Sequence, residues 1–494
     1  MKLSSSRGKW IELKKKPRSD GLRRFSRQLA LSFIDHYLYN DRYEEEYIGI
    51  LCEMSTCFEN HALDEIGSSA LFETVLGGLR DEFEDLQTET YNRVMSQIIS
   101  FCRRIPAGKE LNNCMLEFGL FNPDEIVRRI QKIRAESGNY RKLPRNPKKI
   151  MVLSSGSMAA DVAIVSVVIQ RLAGRFPSTE IVLIGDSRLS ELFGNNPNVR
   201  IVPIPGSSGG SPVERFKVWH GILGIAEKET SGKLDSVLLV DPDSSLSHLG
   251  ILPLVDDSKY LFFNIRGGQK FPPKLSLSRL ANILMDKILS ESESCHPKVW
   301  LADDVLSESA DFAKRLRKKG CRRIISVGFG AGDNPRKRVG HDFEGKLILE
   351  LLRKPGTVVF LDRGLTPEEN EYSGKLMKTL ARKKMITKEL VFGAFKGGEL
   401  SHGVIGVRSS LGEISGLISE SDEFIGYDSP LMHVAAALGV TAYAVFAGSN
   451  NPHFIRRWNA CGPGRCALIH VDTLSCPPRF DTDDIVHRVI DAGA

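Results

Sequence analysis

The chain has no apolar run approaching the ~20 residues that a membrane-spanning helix needs, so no transmembrane segment is expected. Residues 1–16 are basic, but no apolar signal segment follows them, and export is not expected either. The nine cysteines are scattered through 494 residues without the spacing of a disulfide framework, which suits a reducing cytoplasm. Charge of neither sign dominates. A net charge of +6 permits an acidic ligand or an anionic membrane surface and does not call for nucleic acid. No strand-to-helix junction carries the glycine fingerprint of a dinucleotide site, which argues against a nicotinamide oxidoreductase.

What remains is an ordinary globular composition, 41% hydrophobic and 26% charged. The length exceeds what one core supports, so two or three domains are expected. Residues 1–137 predict an all-α N-terminal domain, with helical apolar spacing at 24–39, 69–79, 88–103 and 124–135. The basic run Lys14-Lys15-Lys16-Pro17-Arg18, with Arg23, Arg24 and Arg27, could touch anionic lipid or nucleic acid; the plainer reading is a solvated, partly disordered leader. Residues 138–149, rich in proline and basic side chains, predict a linker.

From residue 150 the pattern changes to short β-branched runs alternating with helical segments. Strands are expected at 150–153, 181–184, 199–204, 237–240 and 260–265. A second series falls at 323–327, 357–361, 390–392, 404–407, 424–427 and 440–446. Residues 162–169 predict a buried helix rather than a strand. Two such alternations, 150–300 and 301–494, imply α/β architecture with two Rossmann-like domains.

The most informative stretch is 424–448. A buried strand ends at Asp428-Ser429-Pro430, a small apolar helix follows to Leu438, Gly439 stops it, and another strand begins. The turn carries a carboxylate, a hydroxyl and the nearby imidazole of His433, at a helix N-terminus able to face an anion. Gly426-Tyr427-Asp428-Ser429-Pro430-Leu431-Met432-His433 resembles the donor-site signature of glycosyltransferase family 9, which reads roughly Gly-Asn-Asp-Ser-Gly-Pro-Met-His. That family includes the ADP-heptose lipopolysaccharide heptosyltransferases. Here Pro430 replaces a glycine and withholds one N–H from a phosphate. The resemblance spans about residues 148–490 and implies a GT-B-like pair of Rossmann-like domains, here preceded by the helical region.

Three further segments resemble the family's site. The loop 154–161 looks like its Ser-Leu-Gly-Asp segment, lengthened, and the resemblance makes Asp161 the general base; an aspartate there can also simply cap a helix. Gly328-Phe329-Gly330-Ala331-Gly332 is a glycine loop that would let backbone approach a diphosphate, or a tight turn. It resembles the family's His-Pro-Gly-Ala-Gly loop, and Lys337, with Arg338 beside it, matches the diphosphate contact. Glu368 or Glu369 matches the carboxylate that holds the donor's ribose, and equally suits a helix N-terminus. Ser410-Leu411-Gly412-Glu413 is read as a helix cap.

Two motifs are set aside. Asp241-Pro242-Asp243 has the form of a metal-binding pair, but the tandem sheets point to a turn. Cys461, Cys466 and Cys476, with His470 between, fit no standard zinc spacing and are read as unlinked thiols.

These features together predict an inverting glycosyltransferase. It would move a sugar, heptose being one candidate, from a nucleotide-diphosphate donor, ADP-linked by preference, to a glycan, lipid-linked or protein acceptor. No metal and no cofactor are expected. A location in the cytoplasm, peripheral at the inner membrane face, would suit the basic N-terminus. The competing reading is an inactive GT-B-like scaffold whose helical region carries the function.

Overall fold

The computed structural model describes residues 3–40, 42–80, 82–136, 147–205, 210–230, 237–267, 271–331, 335–475 and 480–493. The expected linker 138–149 therefore lies largely outside the described residues, as do Gly332 and Cys476. The fold is α/β, with two parallel sheets and an all-helical N-terminal region. By compactness the chain divides into residues 1–153 with 202–272, and residues 154–201 with 273–494.

In the first unit, helices Leu3–Lys15, Ser19–Asn40, Glu45–Met54, His61–Ser69, Asp85–Cys102, Lys109–Glu117 and Pro123–Glu136 enclose an apolar core. Phe25, Phe33, Tyr47, Leu51, Met95 and Ile99 are wholly buried in it. Helix Ser19–Asn40 buries Leu22, Phe25, Leu29 and Phe33 at three- and four-residue spacing, which is why its periodicity is legible. The expected helix at 69–79 is broken into a π-helical segment, Ala70–Leu76, and a short helix, Gly77–Arg80. The leader expected to be partly disordered is helical instead. Trp10 is buried, its indole N–H donates to Glu53 at 2.8 Å, and Arg7 pairs with the same carboxylate at 2.6 Å. Lys14 to Arg18 remain exposed.

The first sheet contains β1 (Lys149–Leu153), β2 (Glu180–Gly185), β3 (Val199–Pro203), β4 (Val237–Asp241) and β5 (Tyr260–Phe262), in the order β3-β2-β1-β4-β5. Strands β1, β4 and β5 run parallel, with Met151 opposite Leu239 and Leu239 opposite Tyr260. Helix Pro123–Glu136 is tied to the loops beside these strands by Arg129 on Asp257 at 2.9 Å and by Arg134 on the Leu249 carbonyl at 3.0 Å. Asp241 and Asp243 do not form an open carboxylate pair. Asp241 accepts from Ser244 N–H at 2.7 Å and from the Tyr260 hydroxyl, and burial pushes its pKa up to about 6. Asp243 accepts from Arg266 N–H at 3.0 Å and faces the Arg134 guanidinium at 3.4 Å.

The second unit holds the larger sheet. Its strands are β6 (Arg323–Gly328), β7 (Thr357–Asp362), β8 (Thr387–Val391), β9 (Gly403–Arg408), β10 (Glu423–Tyr427), β11 (Thr441–Phe446) and β12 (Cys466–His470). Every pairing is parallel, in the order β12-β11-β10-β6-β7-β9-β8. Strand β12 was not expected. It is a half-buried edge strand, so its apolar pattern is weak. Residues 162–169 are helical as expected, as a π-turn, Asp161–Val165, running into helix Ser166–Arg175. The order places β6 between β7, which follows it, and β10, which comes far later. That reversal is a switch point, where ligands of open α/β sheets sit beyond the carboxyl ends of the strands.

Candidate functional site

Strands β6 and β10 flank the switch point, and their ends carry the glycine loop and the Asp428 turn. They approach closely because Gly426 pairs with Gly328; a Cβ on Gly426 would stand 2.6 Å from the Gly328 carbonyl oxygen. Beyond β10, Ser429 is the N-cap of helix Pro430–Ala437 and Pro430 occupies its first turn. Proline is well suited there, since that N–H has no partner inside a helix in any case. The departure from glycine at 430 is thus compatible with the local structure.

Lys337 reaches across from the segment after β6 and donates to Asp428 Oδ2 at 2.7 Å. The lysine side chain is 28% exposed and the aspartate 6%. The ammonium therefore stands at the mouth of the turn with its carboxylate partner beneath it. Its backbone is set by Gly448, whose φ of +80° few residues other than glycine tolerate, and where a Cβ would press to 3.0 Å on Arg336 and Lys337 backbone atoms. Thr473 bridges the two, accepting from Gly448 N–H at 2.9 Å and donating to the Arg336 carbonyl at 2.8 Å.

His433 is 3% exposed, and burial holds its pKa down at about 4, with Asp428 opposing and Lys337 reinforcing the shift. It is a neutral imidazole at pH 7. Its Nε2, the Ser429 hydroxyl and the indole nitrogen of Trp458 are buried polar atoms without a hydrogen-bond partner among the described residues. Trp458 meets the His433 ring edge-on at 6.1 Å between centroids. Buried polar groups are nearly always satisfied, so three such atoms on one helix and its neighbour stand out.

On the other side of β6, Glu369 rather than Glu368 faces the glycine loop. A Cβ on Gly330 would lie 3.0 Å from Glu369 Oε1, while Glu368 is exposed. Glu369 Oε2 accepts from Leu365 N–H at 3.1 Å, and Thr366 caps the helix by accepting from Glu369 N–H. Arg338 lies over the Tyr372 ring at 4.2 Å, and Tyr372 stacks on His341 at 3.9 Å. The Tyr372 and Tyr427 hydroxyls both donate to Glu344 Oε1 at 2.9 Å, and burial pushes Glu344 up to about 7. Tyr427 in turn accepts from Val339 N–H at 3.0 Å, which fixes the chain just after Lys337.

The serine loop belongs to the same compact unit. Helix Pro430–Ala437 packs on Met158–Ala160 and on the π-turn Asp161–Val165. Asp161 is wholly buried. Its Oδ1 accepts from Ser155 N–H at 2.7 Å and Ser155 Oγ at 2.8 Å, and its Oδ2 from Ser154 Oγ at 2.8 Å. Burial raises its pKa to about 6 against the pull of those hydrogen bonds. Ser410 and Glu413 form a reciprocal capping box, a structural role. Cys461 and Cys466 carry free thiols, and burial pushes the Cys466 thiol up to about 11.

Residues 397–484, which contain the Asp428 turn and its helix, match glycosyltransferase family 9 (heptosyltransferase). The similarity is confined to this stretch of the chain. The fold agrees. A glycosyl transferase family 9 protein from Veillonella parvula superposes with a TM-score of 0.51 at 14% identity, covering 72% of this chain and 98% of that one. The E. coli heptosyltransferase WaaC, solved with ADP, gives 0.47 at 13% identity, covering 70% and 100%. E. coli ADP-heptose lps heptosyltransferase II gives 0.44 at 16%, again covering 70% and 100%. Of these three, the Veillonella protein is similar enough to establish a shared fold. No curated protein matches the chain by sequence.

The matched segment holds Asp428, Ser429 and His433, while Gly330, Lys337 and Asp161 lie outside it. The structure brings Lys337, Asp428, Ser429 and His433 to one place and packs the Asp161 loop against the same helix. Glu368 is not part of this grouping. Gly448, Thr473 and Glu344 went unnoticed in the sequence; only Gly448, a glycine two residues past a strand end, offered a signal.

Proposed function

We propose that the protein is an inverting glycosyltransferase that moves a sugar from a nucleotide diphosphate, ADP-linked by preference, to a hydroxyl of a glycan, a lipid-linked sugar or a protein. Heptose is the first sugar to test and lipopolysaccharide core the first acceptor. The observation that carries the reading is the Lys337 ammonium held by Asp428 beside the orphaned Ser429 hydroxyl and His433 imidazole. As the glycosidic C–O bond breaks, negative charge collects on the leaving diphosphate. A fixed ammonium and the hydroxyl donor of Ser429 would stabilise that charge without reorganising. Asp428 orients Lys337, and Glu369, beside Gly330, would hold the ribose hydroxyls. Arg338, close to Lys337 in the chain, would add positive potential. The reading needs no metal, since cation and backbone dipoles meet the charge.

Asp161 is the proposed general base, taking the acceptor proton while the hydroxyl oxygen attacks the anomeric carbon. A pKa near 6 suits that task at neutral pH. Its complete burial and its three serine contacts favour a second reading, in which Asp161 only shapes the loop and the chain is a GT-B-like scaffold.

Calorimetric titration with ADP, GDP and UDP, followed by transfer assays with ADP-linked sugars, tests the proposal. Binding of one nucleoside diphosphate should be lost in Lys337→Ala, and turnover should fall about 100-fold or more. Failure of every nucleoside diphosphate to bind would favour the scaffold. Asp161→Asn that binds donor but transfers nothing supports the base. Equal loss of both marks it as structural.

A further inference from the structure

The helical region encloses a groove of about 810 Å³, the upper part of the small-molecule range, for which the proposed transfer chemistry has no use. One wall is helix Asp85–Cys102, another helix Pro123–Glu136, and Tyr43 and Asn264 also line it. All of this lies within the first compact unit.

The groove wall of helix Asp85–Cys102 is polar where a core-facing stripe would be apolar. Thr88, Asn92, Ser96 and Ser100 recur at four-residue spacing and line the cavity. Asn92 is 5% exposed, and its Oδ1 has no hydrogen-bond partner among the described residues; the buried Ser100 hydroxyl has none either. Such a group weakens the fold unless something satisfies it. Gln97 is held ready in the same wall, accepting from the Tyr43 hydroxyl at 2.9 Å and donating to the Glu45 carbonyl at 2.8 Å.

The occupant's chemistry follows by elimination. Arginines and carboxylates line the groove in equal number, so it offers no net charge to an anion or to nucleic acid. Apolar anchors for a peptide are sparse. The Tyr43 face that could stack a base is covered by the Arg93 guanidinium at 3.8 Å. A ligand rich in hydroxyls, uncharged, and able both to donate and to accept along its length matches amides, hydroxyls and paired charges together. We propose that this groove is a binding site for a neutral oligosaccharide.

The test uses the full-length protein on an array of neutral and acidic glycans, with the best neutral glycan then titrated by calorimetry. Binding to neutral glycans is expected. Asn92→Ala should weaken it at least 10-fold while the melting temperature stays level or rises, because an orphaned buried amide has been removed. The exposed rim variant Gln131→Ala, which cannot disturb the core, should weaken it several-fold, and Lys337→Ala should leave it unchanged. No neutral glycan bound, acidic glycans alone bound, or wild-type affinity in both groove variants would overturn the proposal. Failure of the unmodified protein to bind ADP, GDP or UDP, with glycan binding intact, would refute the transferase reading alone.

Discussion

Replacing Lys337 by methionine keeps the aliphatic stem and removes the charge, leaving Asp428 6% exposed with no ammonium at 2.7 Å. Breaking one side of a deeply buried pair costs about 3–5 kcal/mol. Lys337 is 28% exposed, so solvent screens part of this, and a loss of about 1–3 kcal/mol is expected. Asp428→Asn leaves the ammonium able to turn to water and should cost less. In the double variant no uncompensated charge remains, so most of the single-variant loss should return. The cycle would show a coupling of about 1–2 kcal/mol in urea melts. Affinity for ADP should behave differently. It should stay lost, by a factor of about 30 or more, in both proteins that lack Lys337, because the contact with the diphosphate itself is gone. Additive stabilities within about 0.5 kcal/mol would refute the pairing as an energetic unit. ADP binding restored in the double variant would refute Lys337 as the diphosphate contact.

Gly448→Ala combines a φ of +80° with a Cβ 3.0 Å from Arg336 and Lys337 backbone atoms; it should destabilise by about 1–3 kcal/mol and weaken ADP binding without touching a proposed ligand contact. Asp161 rises from 3.8 to about 6, so its carboxylate form is penalised as pH climbs through that window. Asp161→Asn should accordingly gain on wild type between pH 4 and 6, by up to about 3 kcal/mol in parallel thermal melts, and a variant equally destabilised at both ends would sink the argument. His433 runs the opposite way. Its pKa falls from 6.5 to about 4, so the unfolded chain takes up the proton first and stability drains away as pH falls from 6.5 towards 4. His433→Asn should flatten the acid side of the stability profile by about 2–3 kcal/mol at pH 4.5, and an unchanged profile would mean the imidazole takes up its proton equally readily in the folded and unfolded chain.

The parts legible in the sequence were those that repeat a local rule. Buried parallel strands are short β-branched runs, so β1, β4, β6, β7 and β10 stood out, and the edge strand β12 did not. The Asp428 turn was legible because strand, cap and helix follow one another within a dozen residues. Its partner Lys337 lies 91 residues away, and only the fold pairs them. The Glu368 and Glu369 ambiguity turned on a rotation of about 100° per residue around a helix, which composition cannot fix. Thr473 reaches Arg336 across 137 residues with no motif to announce it. In the helical region, nothing in the pattern of Thr88, Asn92, Ser96 and Ser100 says that helix Pro123–Glu136 lines the same groove.

The order in which the chain is made has a bearing on Asp161. The π-turn Asp161–Val165 packs on helix Pro430–Ala437, which leaves the ribosome some 265 residues later. At ordinary elongation rates that is a wait of roughly 10–50 s. Throughout it the segments carrying Met158, Val162 and Val165, buried in the finished fold, lack one of the helices that pack on them. Nascent chains of this protein should therefore dwell on a holding chaperone until helix Pro430–Ala437 has emerged. Ribosome-bound fragments ending before residue 430 should be captured by it, and fragments ending near 490 should be released.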